Sequence, residues 1–316
     1  MKPKVIFIDS VHPVLFEKLE QAGYECDWKN ELNREFIITI LKNYEGAVIR
    51  SKFKFDLEVF DAAPNLKWIA RSGAGMENID VAEAKKRGIS CFNSPEGNRD
   101  AVAEHCIGML LSLFNQLNKA DREVREGKWL REENRGVELK GKKVGILGYG
   151  FMGKAFAERL QGFGVKTIAY DKYKSDFSDA LVKEVTLEQL FEETEILSIH
   201  LPLTEETNRI VNHTFLNKFK HSIYLINTAR GKNLVTSDLV DGLKSGKILG
   251  ACLDVLEYEK TSFESLNAAE LPEAFQYLRK SSKVILSPHV AGWTKESYFK
   301  LSEVLANKIL ENYPSR

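Results

Sequence analysis

Short apolar, β-branched runs recur at residues 5–8, 47–50, 68–71, 144–147, 167–170, 196–200, 223–226 and 284–286, separated by stretches of helical periodicity. Crossover helices cover both faces of a parallel sheet, so near-continuous apolar strands alternating with helices predict an α/β chain built on parallel sheets. Residues 101–118 carry the strongest helical pattern. Val102, Cys106, Met109, Leu110, Leu113 and Leu117 form one apolar stripe, and Ile107, Leu111 and Phe114 widen it almost all round. A helix apolar over so much of its circumference is expected to be buried, in a core or against another subunit. Thr186 opens a further helix, with Gln189 three residues on to complete a capping box. Polar residues 119–143, with Trp129 among charged neighbours, lead directly into the strand at 144–147.

That strand runs into Gly148-Tyr149-Gly150-Phe151-Met152-Gly153, and a helical stretch at 154–160 follows. Strand, glycine turn and helix in this order are the context in which a G-x-G-x-x-G sequence signals dinucleotide binding. Gly148 makes the tight turn, Gly150 lets the backbone approach a pyrophosphate, and Gly153 lets helix and strand pack closely. The helix N-terminus then offers unpaired N–H groups to the phosphates. The next strand ends in Asp171, about twenty residues past the turn, where a carboxylate accepts from ribose hydroxyls and repels a 2′-phosphate. The expected cofactor is NAD rather than NADP. Because the turn lies in mid-chain, the preceding residues are expected to form a second lobe, to which a C-terminal helix bearing Leu301, Val304, Leu305 and Ile309 could return.

Composition narrows the picture. Of 316 residues, 43% are hydrophobic and 28% charged, with 45 basic and 45 acidic side chains. No long-range field of one sign is available to recruit nucleic acid or anionic lipid. Cys26, Cys91, Cys106 and Cys252 are far apart, with the spacing of neither a zinc site nor a disulfide framework. The expectation is four reduced thiols in a cytoplasmic protein. The apolar run after Met1 stops at Asp9, short of a signal peptide, and no run is long enough to span a bilayer. His12, His105, His213 and His221 lack metal-ligand spacing, so no metal is expected.

Three residues with chemical potential follow three strands of this sheet: Arg230, Glu259 and His289. The carboxyl ends of strands are where open α/β sheets bind ligands. Spacing alone also accommodates a surface Arg-Gly turn, a solvated loop glutamate and a structural histidine. His200 ends a strand before Pro202 and is expected to line the nucleotide cleft.

At this point the ordered motifs resemble one family over nearly the whole chain. They are Arg71-Ser72-Gly73-Ala74-Gly75 with the residues to Asp80, Asn93-Ser94-Pro95, Val102-Ala103-Glu104-His105 and Gly127-Lys128-Trp129. Leu139-Lys140-Gly141-Lys142 precedes the glycine turn; His200-Leu201-Pro202-Leu203-Thr204, Asn227 to Gly231, Asp254 to Glu259 and Ser287-Pro288-His289 follow it. Together these resemble the D-isomer-specific 2-hydroxyacid dehydrogenases, closest in pattern to the short phosphoglycerate and glycerate dehydrogenase branch.

The resemblance implies a Rossmann NAD-binding domain at residues 99–288, inserted into a flavodoxin-like substrate domain at 1–98 plus 289–316. Both would be doubly wound parallel-sheet domains. It implies Arg230, Glu259 and His289 as the catalytic set: His289 gives the proton to the developing alkoxide, Glu259 orients the ring, and Arg230 holds the carboxylate and polarises the carbonyl. Implied NAD contacts are Gly148, Gly150, Phe151, Met152, Gly153, Asp171, His200, Pro202, Thr228, Ala229, Arg230, Asp254, His289 and Gly292. Implied substrate contacts are Arg50, Ser51, Ala74 and Gly75, with Arg230 and His289. The helix at 101–118 resembles the family's interdomain and dimer element, so a homodimer is expected.

Departures bear on the substrate. Trp293 is bulkier than the usual residue there, Lys260 replaces the common proline after Glu259, and, with Arg316 the last residue, the regulatory domain of longer phosphoglycerate dehydrogenases is not expected. Arg50, Lys52 and Lys54 could together meet a phosphate, or form a basic strand end open to solvent. The expected reaction is hydride transfer between NAD(H) and a small 2-hydroxy or 2-keto acid. 3-Phosphoglycerate leads, with glycerate/hydroxypyruvate and D-lactate as alternatives. Formate dehydrogenases place Gln where Glu259 stands. The alternative of another class is an NADH-sensing binding protein like the corepressors that share this fold.

Overall fold

The computed structural model describes residues 2–259 and 271–314, so Lys260 lies outside the described residues. The chain divides into two compact units, Met1–Arg99 with Trp293–Arg316, and Asp100–Gly292.

The first unit holds five strands: β1 (Lys4–Phe7), β2 (Glu25–Trp28), β3 (Gly46–Ile49), β4 (Trp68–Arg71) and β5 (Ser90–Asn93). They pair in parallel in the order β2-β1-β3-β4-β5. Successive side chains in a strand point to opposite faces. Accordingly Ile6, Ala47 and Ile49 enter one core with Ile37, Leu41 and Val59, while Val5, Phe7, Val48 and Trp68 enter another with Leu15, Leu19, Leu305 and Ile309. The second core therefore draws on helices from both chain ends, Pro13–Gln21 and Lys295–Asn312.

The second unit holds β6 (Lys143–Leu147), β7 (Lys166–Tyr170), β8 (Lys183–Glu184), β9 (Ile196–Ile199), β10 (Ile223–Asn227), β11 (Ile248–Leu253) and β12 (Val284–Leu286). All pairs are parallel, in the order β12-β11-β10-β9-β6-β7-β8. The order reverses between β6 and β9, the crevice where doubly wound sheets bind nucleotides. Both sheets are doubly wound and parallel, as the alternation of elements predicts.

Differences from the sequence reading have local causes. Four strands escape the pattern: β2 and β5 are half-buried edge strands without an apolar run, β8 has only two residues, and Gly250 interrupts β11. At Gly250 a Cβ would lie 3.0 Å from a Leu113 methyl and from the Lys283 carbonyl, so the glycine sits where neighbours pack tightly. The long apolar helix runs Pro95–Phe114, starting earlier and stopping sooner than expected. Gln116 takes a left-handed conformation (φ 51°), which breaks the path before a separate helix, Leu117–Arg125. Leu117 consequently leaves the buried stripe and is 53% exposed. Residues 289–292, expected in the first lobe, belong to the second unit, because Val290 and Ala291 are hydrogen-bonded to Asp254. The Thr186 capping box forms as its sequence predicts. No helix among the described residues is long and apolar enough to cross a membrane.

Gly46 tests the packing of the first sheet. A Cβ there would lie 2.1 Å from the ring of the buried Trp68, its register partner on β4. We expect Gly46→Ala to destabilise the protein by roughly 1–3 kcal/mol through overpacking. A urea midpoint equal to that of the unmodified protein would refute this packing.

Candidate active site

The glycine turn leaves β6 at the crevice. Gly148 has φ 93°, and a Cβ there would stand 2.9 Å from the His200 carbonyl oxygen. At Gly153 a Cβ would stand 2.3 Å from the Gly148 carbonyl, so this glycine lets the helix Phe151–Leu160 start against its own turn. Gly150 differs: a Cβ would meet nothing within 4 Å. The protein's own atoms do not demand that glycine, whereas a ligand approaching the backbone would. No side chain caps this helix, and its first three amides have no acceptor among the described residues. Open space beside unpaired N–H groups fits a pyrophosphate. Phe151 is 47% exposed beside it and Met152 is half-buried.

Asp171 follows β7. Its Oδ2 accepts from the Tyr149 amide at 2.8 Å and its Oδ1 from the Tyr173 amide at 2.9 Å, which ties the acid to the turn and leaves further lone pairs for ribose hydroxyls. Across the crevice His200 follows β9 and is half-buried beside the Phe156 ring, 2.8 Å from Ser198 Oγ. Burial pushes the imidazole down to about 4. The next turn is built by Thr207, whose hydroxyl donates to the Pro202 carbonyl at 2.6 Å. These residues fit NAD.

Arg230, Glu259 and His289 follow β10, β11 and β12, three consecutive neighbours whose ends are in register at Asn227, Leu253 and Leu286. The His289 Nδ1 lies 2.7 Å from Glu259 Oε2, with both side chains about a quarter exposed or less. The Arg230 loop is set by Asn227. Its Oδ1 accepts from the Ala229 amide at 3.1 Å and its Nδ2 donates to the Arg230 carbonyl at 3.0 Å. Gly231 then presses this loop onto the next: a Cβ would lie 1.9 Å from the Leu256 carbonyl oxygen. Arg230 Nη1 donates to the Ala229 carbonyl at 2.6 Å. The buried Thr228 hydroxyl lies 3.2 Å from Cys106 Sγ, and Gly292 ends the unit.

His289 has φ 55°, a left-handed backbone uncommon for a residue with a side chain. Asp254, 1% exposed, holds it there. Its carboxylate accepts from the Ser287 hydroxyl at 2.5 Å and from the Val290 and Ala291 amides at 2.9 and 2.8 Å. Its own carbonyl accepts from the His289 amide at 2.8 Å. His105 Nε2 joins this group 2.9 Å from Ser287 Oγ. The sequence reading places Asp254 among cofactor contacts, and the structure shows its carboxylate engaged by the His289 segment. Ser287, His105 and Asn227 are supporting residues that sequence reasoning did not single out. Only Asn227 left a signal, as an Asx residue two positions before a turn amide.

The expected substrate contacts of the first unit lie at the carboxyl edge of its own sheet. One oxygen of Asp9 accepts from the amides of Arg50, Ser51 and Lys52 at 2.6, 2.9 and 3.1 Å. The Lys52 ammonium donates to the carbonyls of Ile8 and Asn30, so it braces the edge. Among the described residues nothing accepts from the amides of Ala74 or Gly75, while the Ala74 carbonyl accepts from Asn93 at 2.6 Å. No cluster of metal-binding side chains occurs among the described residues.

Residues 107–291 match the family described as "D-isomer specific 2-hydroxyacid dehydrogenase, NAD binding domain". The chain is 34% identical over 309 residues to a D-3-phosphoglycerate dehydrogenase of Archaeoglobus fulgidus, covering 97% of this chain and 56% of that protein. It thus spans little more than half the length of that relative. It is 35% identical over 280 residues to a hydroxypyruvate reductase of Thermotoga maritima, covering 89% of this chain and 88% of that one. A solved glyoxylate reductase from Paecilomyes thermophila shares the fold, with a TM-score of 0.86 at 24% identity over 99% of this chain and 97% of its own.

The desolvated ring of His200 has a consequence for stability. Its pKa is lowered from 6.5 to about 4 in the folded chain, so between those values the unfolded chain binds the extra proton. Stability is then complete above pH 6.5 and falls toward pH 4, by up to about 3 kcal/mol. We expect His200→Asn to flatten this stretch of the stability profile; an unchanged acid slope in chemical denaturation would contradict it.

Proposed function

We propose that this chain, which belongs to the D-isomer-specific 2-hydroxyacid dehydrogenases, interconverts a small D-2-hydroxy acid and its 2-keto acid with NAD, the leading pair being 3-phosphoglycerate and 3-phosphohydroxypyruvate. The observation that carries the reading is the His289–Glu259 contact of 2.7 Å on two of three adjacent strand ends, with Arg230 on the third. The amides of Phe151, Met152 and Gly153, at the open face of Gly150, would hold the pyrophosphate of the nucleotide, and Asp171 would hold the ribose. Bound NADH supplies the hydride for the keto carbon.

Glu259 holds Nδ1 of His289, which fixes the ring so that Nε2 delivers a proton to the carbonyl oxygen and takes it back in the reverse direction. Arg230 brings a planar cation whose paired donors suit the substrate carboxylate and the polarised carbonyl. In the first unit the proposed substrate contacts are Arg50, Ser51 and the amides of Ala74 and Gly75. The phosphorylated pair is favoured by Arg50 and by the Archaeoglobus relative, and the Thermotoga relative makes glycerate/hydroxypyruvate the alternative.

The purified protein should consume NADH with at least one of 3-phosphohydroxypyruvate, hydroxypyruvate, glyoxylate and pyruvate, followed by the absorbance of the cofactor. Asparagine tolerates the left-handed backbone, so His289→Asn removes the proton carrier without new strain. It should lower kcat by about 10²–10⁴-fold and change the NADH dissociation constant by less than about tenfold. Equal losses in both would count against a proton-transfer role. NADH-dependent capture of a partner without any turnover would favour the binding-protein reading.

A homodimer is part of the same reading. The helix Leu117–Arg125 buries none of its residues, and Leu117, Val124, Trp129, Leu130 and Val137 are all exposed large apolar side chains of that helix and the following segment. A second copy of the chain covers this surface. Sedimentation should give twice the chain mass, and Trp129→Asp should shift it toward monomer; a monomeric unmodified protein would end the idea.

A further inference from the structure

Arg50 leaves the carboxyl end of β3 with its backbone fully engaged. Its amide donates to Asp9, and its carbonyl accepts from Arg71 Nε at 3.1 Å and Asn78 Nδ2 at 3.2 Å. Its side chain is engaged in another way. The guanidinium carbon lies 4.0 Å from the centroid of the Trp293 ring. Trp293 has Tyr298 at 6.4 Å between centroids, and Tyr298 meets the His12 ring edge-on at 5.5 Å. The indole is thus one face of an aromatic wall at the start of the helix Lys295–Asn312.

No described residue accepts a hydrogen bond from the Arg50 guanidinium or forms an ion pair with it. Stacking uses the flat face of the cation, and all five N–H donors lie in the plane at its rim. The group is half-buried, so water is partly withdrawn from donors that the protein leaves unmet. Burial lowers its pKa, with Asp9 and Tyr298 opposing, and a guanidinium remains a cation throughout the physiological range. Lys52 does not compete for the role, because its ammonium is spent on the carbonyls of Ile8 and Asn30.

We propose that Trp293 is a specificity-determining residue: stacked against Arg50, it presents that guanidinium edge-on to a second anionic group, phosphate or carboxylate, of the 2-keto acid. Without the indole the long Arg50 side chain regains rotamer freedom that must be lost again on each binding event. Selection then acts on the second charge. The proposal rests on the reading that Arg50 is a substrate contact.

Trp293→Ala and Trp293→Phe would be compared with the unmodified enzyme using 3-phosphohydroxypyruvate, oxaloacetate, hydroxypyruvate and pyruvate. In Trp293→Ala we expect the kcat/KM ratio of doubly to singly anionic substrates to fall by about tenfold or more, through KM rather than kcat, with recovery of most of it in Trp293→Phe. A fall for the phosphorylated substrate alone assigns the rim to phosphate, and for oxaloacetate alone to carboxylate. An unchanged ratio overturns the proposal. Calorimetric titration of 3-phosphoglycerate into the NAD-loaded unmodified and Ala proteins separates the two readings. A weaker affinity in the Ala protein, with no turnover by either, would sink the dehydrogenase reading and leave the Arg50 site. Unchanged affinity and ratio in an active enzyme would sink only the role of Trp293.

Discussion

The Asp254 carboxylate is almost completely withdrawn from water, and what compensates its charge is the segment that carries His289. A buried carboxylate without partners costs several kcal/mol, so the donors around it are obligatory. Two of them are consecutive amides, Val290 and Ala291, and a third is the Ser287 hydroxyl. Satisfying all three curls the chain tightly after β12 and places His289 in the left-handed region, at a cost on the order of 1 kcal/mol. The side chain of His289 meets Glu259 because its backbone is turned by Asp254. The position of the proposed proton carrier is therefore set by a carboxylate whose oxygens are engaged elsewhere.

The other two members depend on the same edge. Asp254 donates its amide to the Asn227 carbonyl, which joins β11 to β10 where the Arg230 loop begins. Gly231 then admits the Leu256 carbonyl at a distance no side chain would allow. Backbone contacts thus tie the loops of both Arg230 and His289 to the 254–256 segment that leads to Glu259. The nucleotide crevice follows a similar rule, with the Gly148 turn packed on the His200 carbonyl.

Features carried by local pattern were legible in the sequence. The glycine turn and Asp171 sit at fixed spacing around one strand and one helix, and the capping box at Thr186 needs only four residues. Arg230 and His289 stood out because each follows a legible strand, and Glu259 because it follows the short segment Leu253–Val255; only the in-register ends of β10, β11 and β12 bring the strand ends together. What remained hidden depends on contacts between distant positions. Nothing near Asp254 in the sequence announces amides at 290 and 291, and nothing near Lys52 announces the carbonyls of Ile8 and Asn30. The break at Gln116 was equally silent, because glutamine has no preference for a left-handed backbone.

The first unit is assembled from the two ends of the chain. Leu305, Ala306 and Ile309 fill the face of its sheet that Val5, Phe7 and Trp68 line, and Lys18 pairs with Glu303 at 2.9 Å. During synthesis β1–β5 emerge before the second unit, yet that face stays open until the helix Lys295–Asn312 has left the ribosome. The intervening second unit, by contrast, is continuous in the chain and has all its strands before then. The core on that face of the first unit is therefore completed only after the second unit has been synthesised, and until then the nascent chain carries an apolar sheet face of the kind chaperones shield.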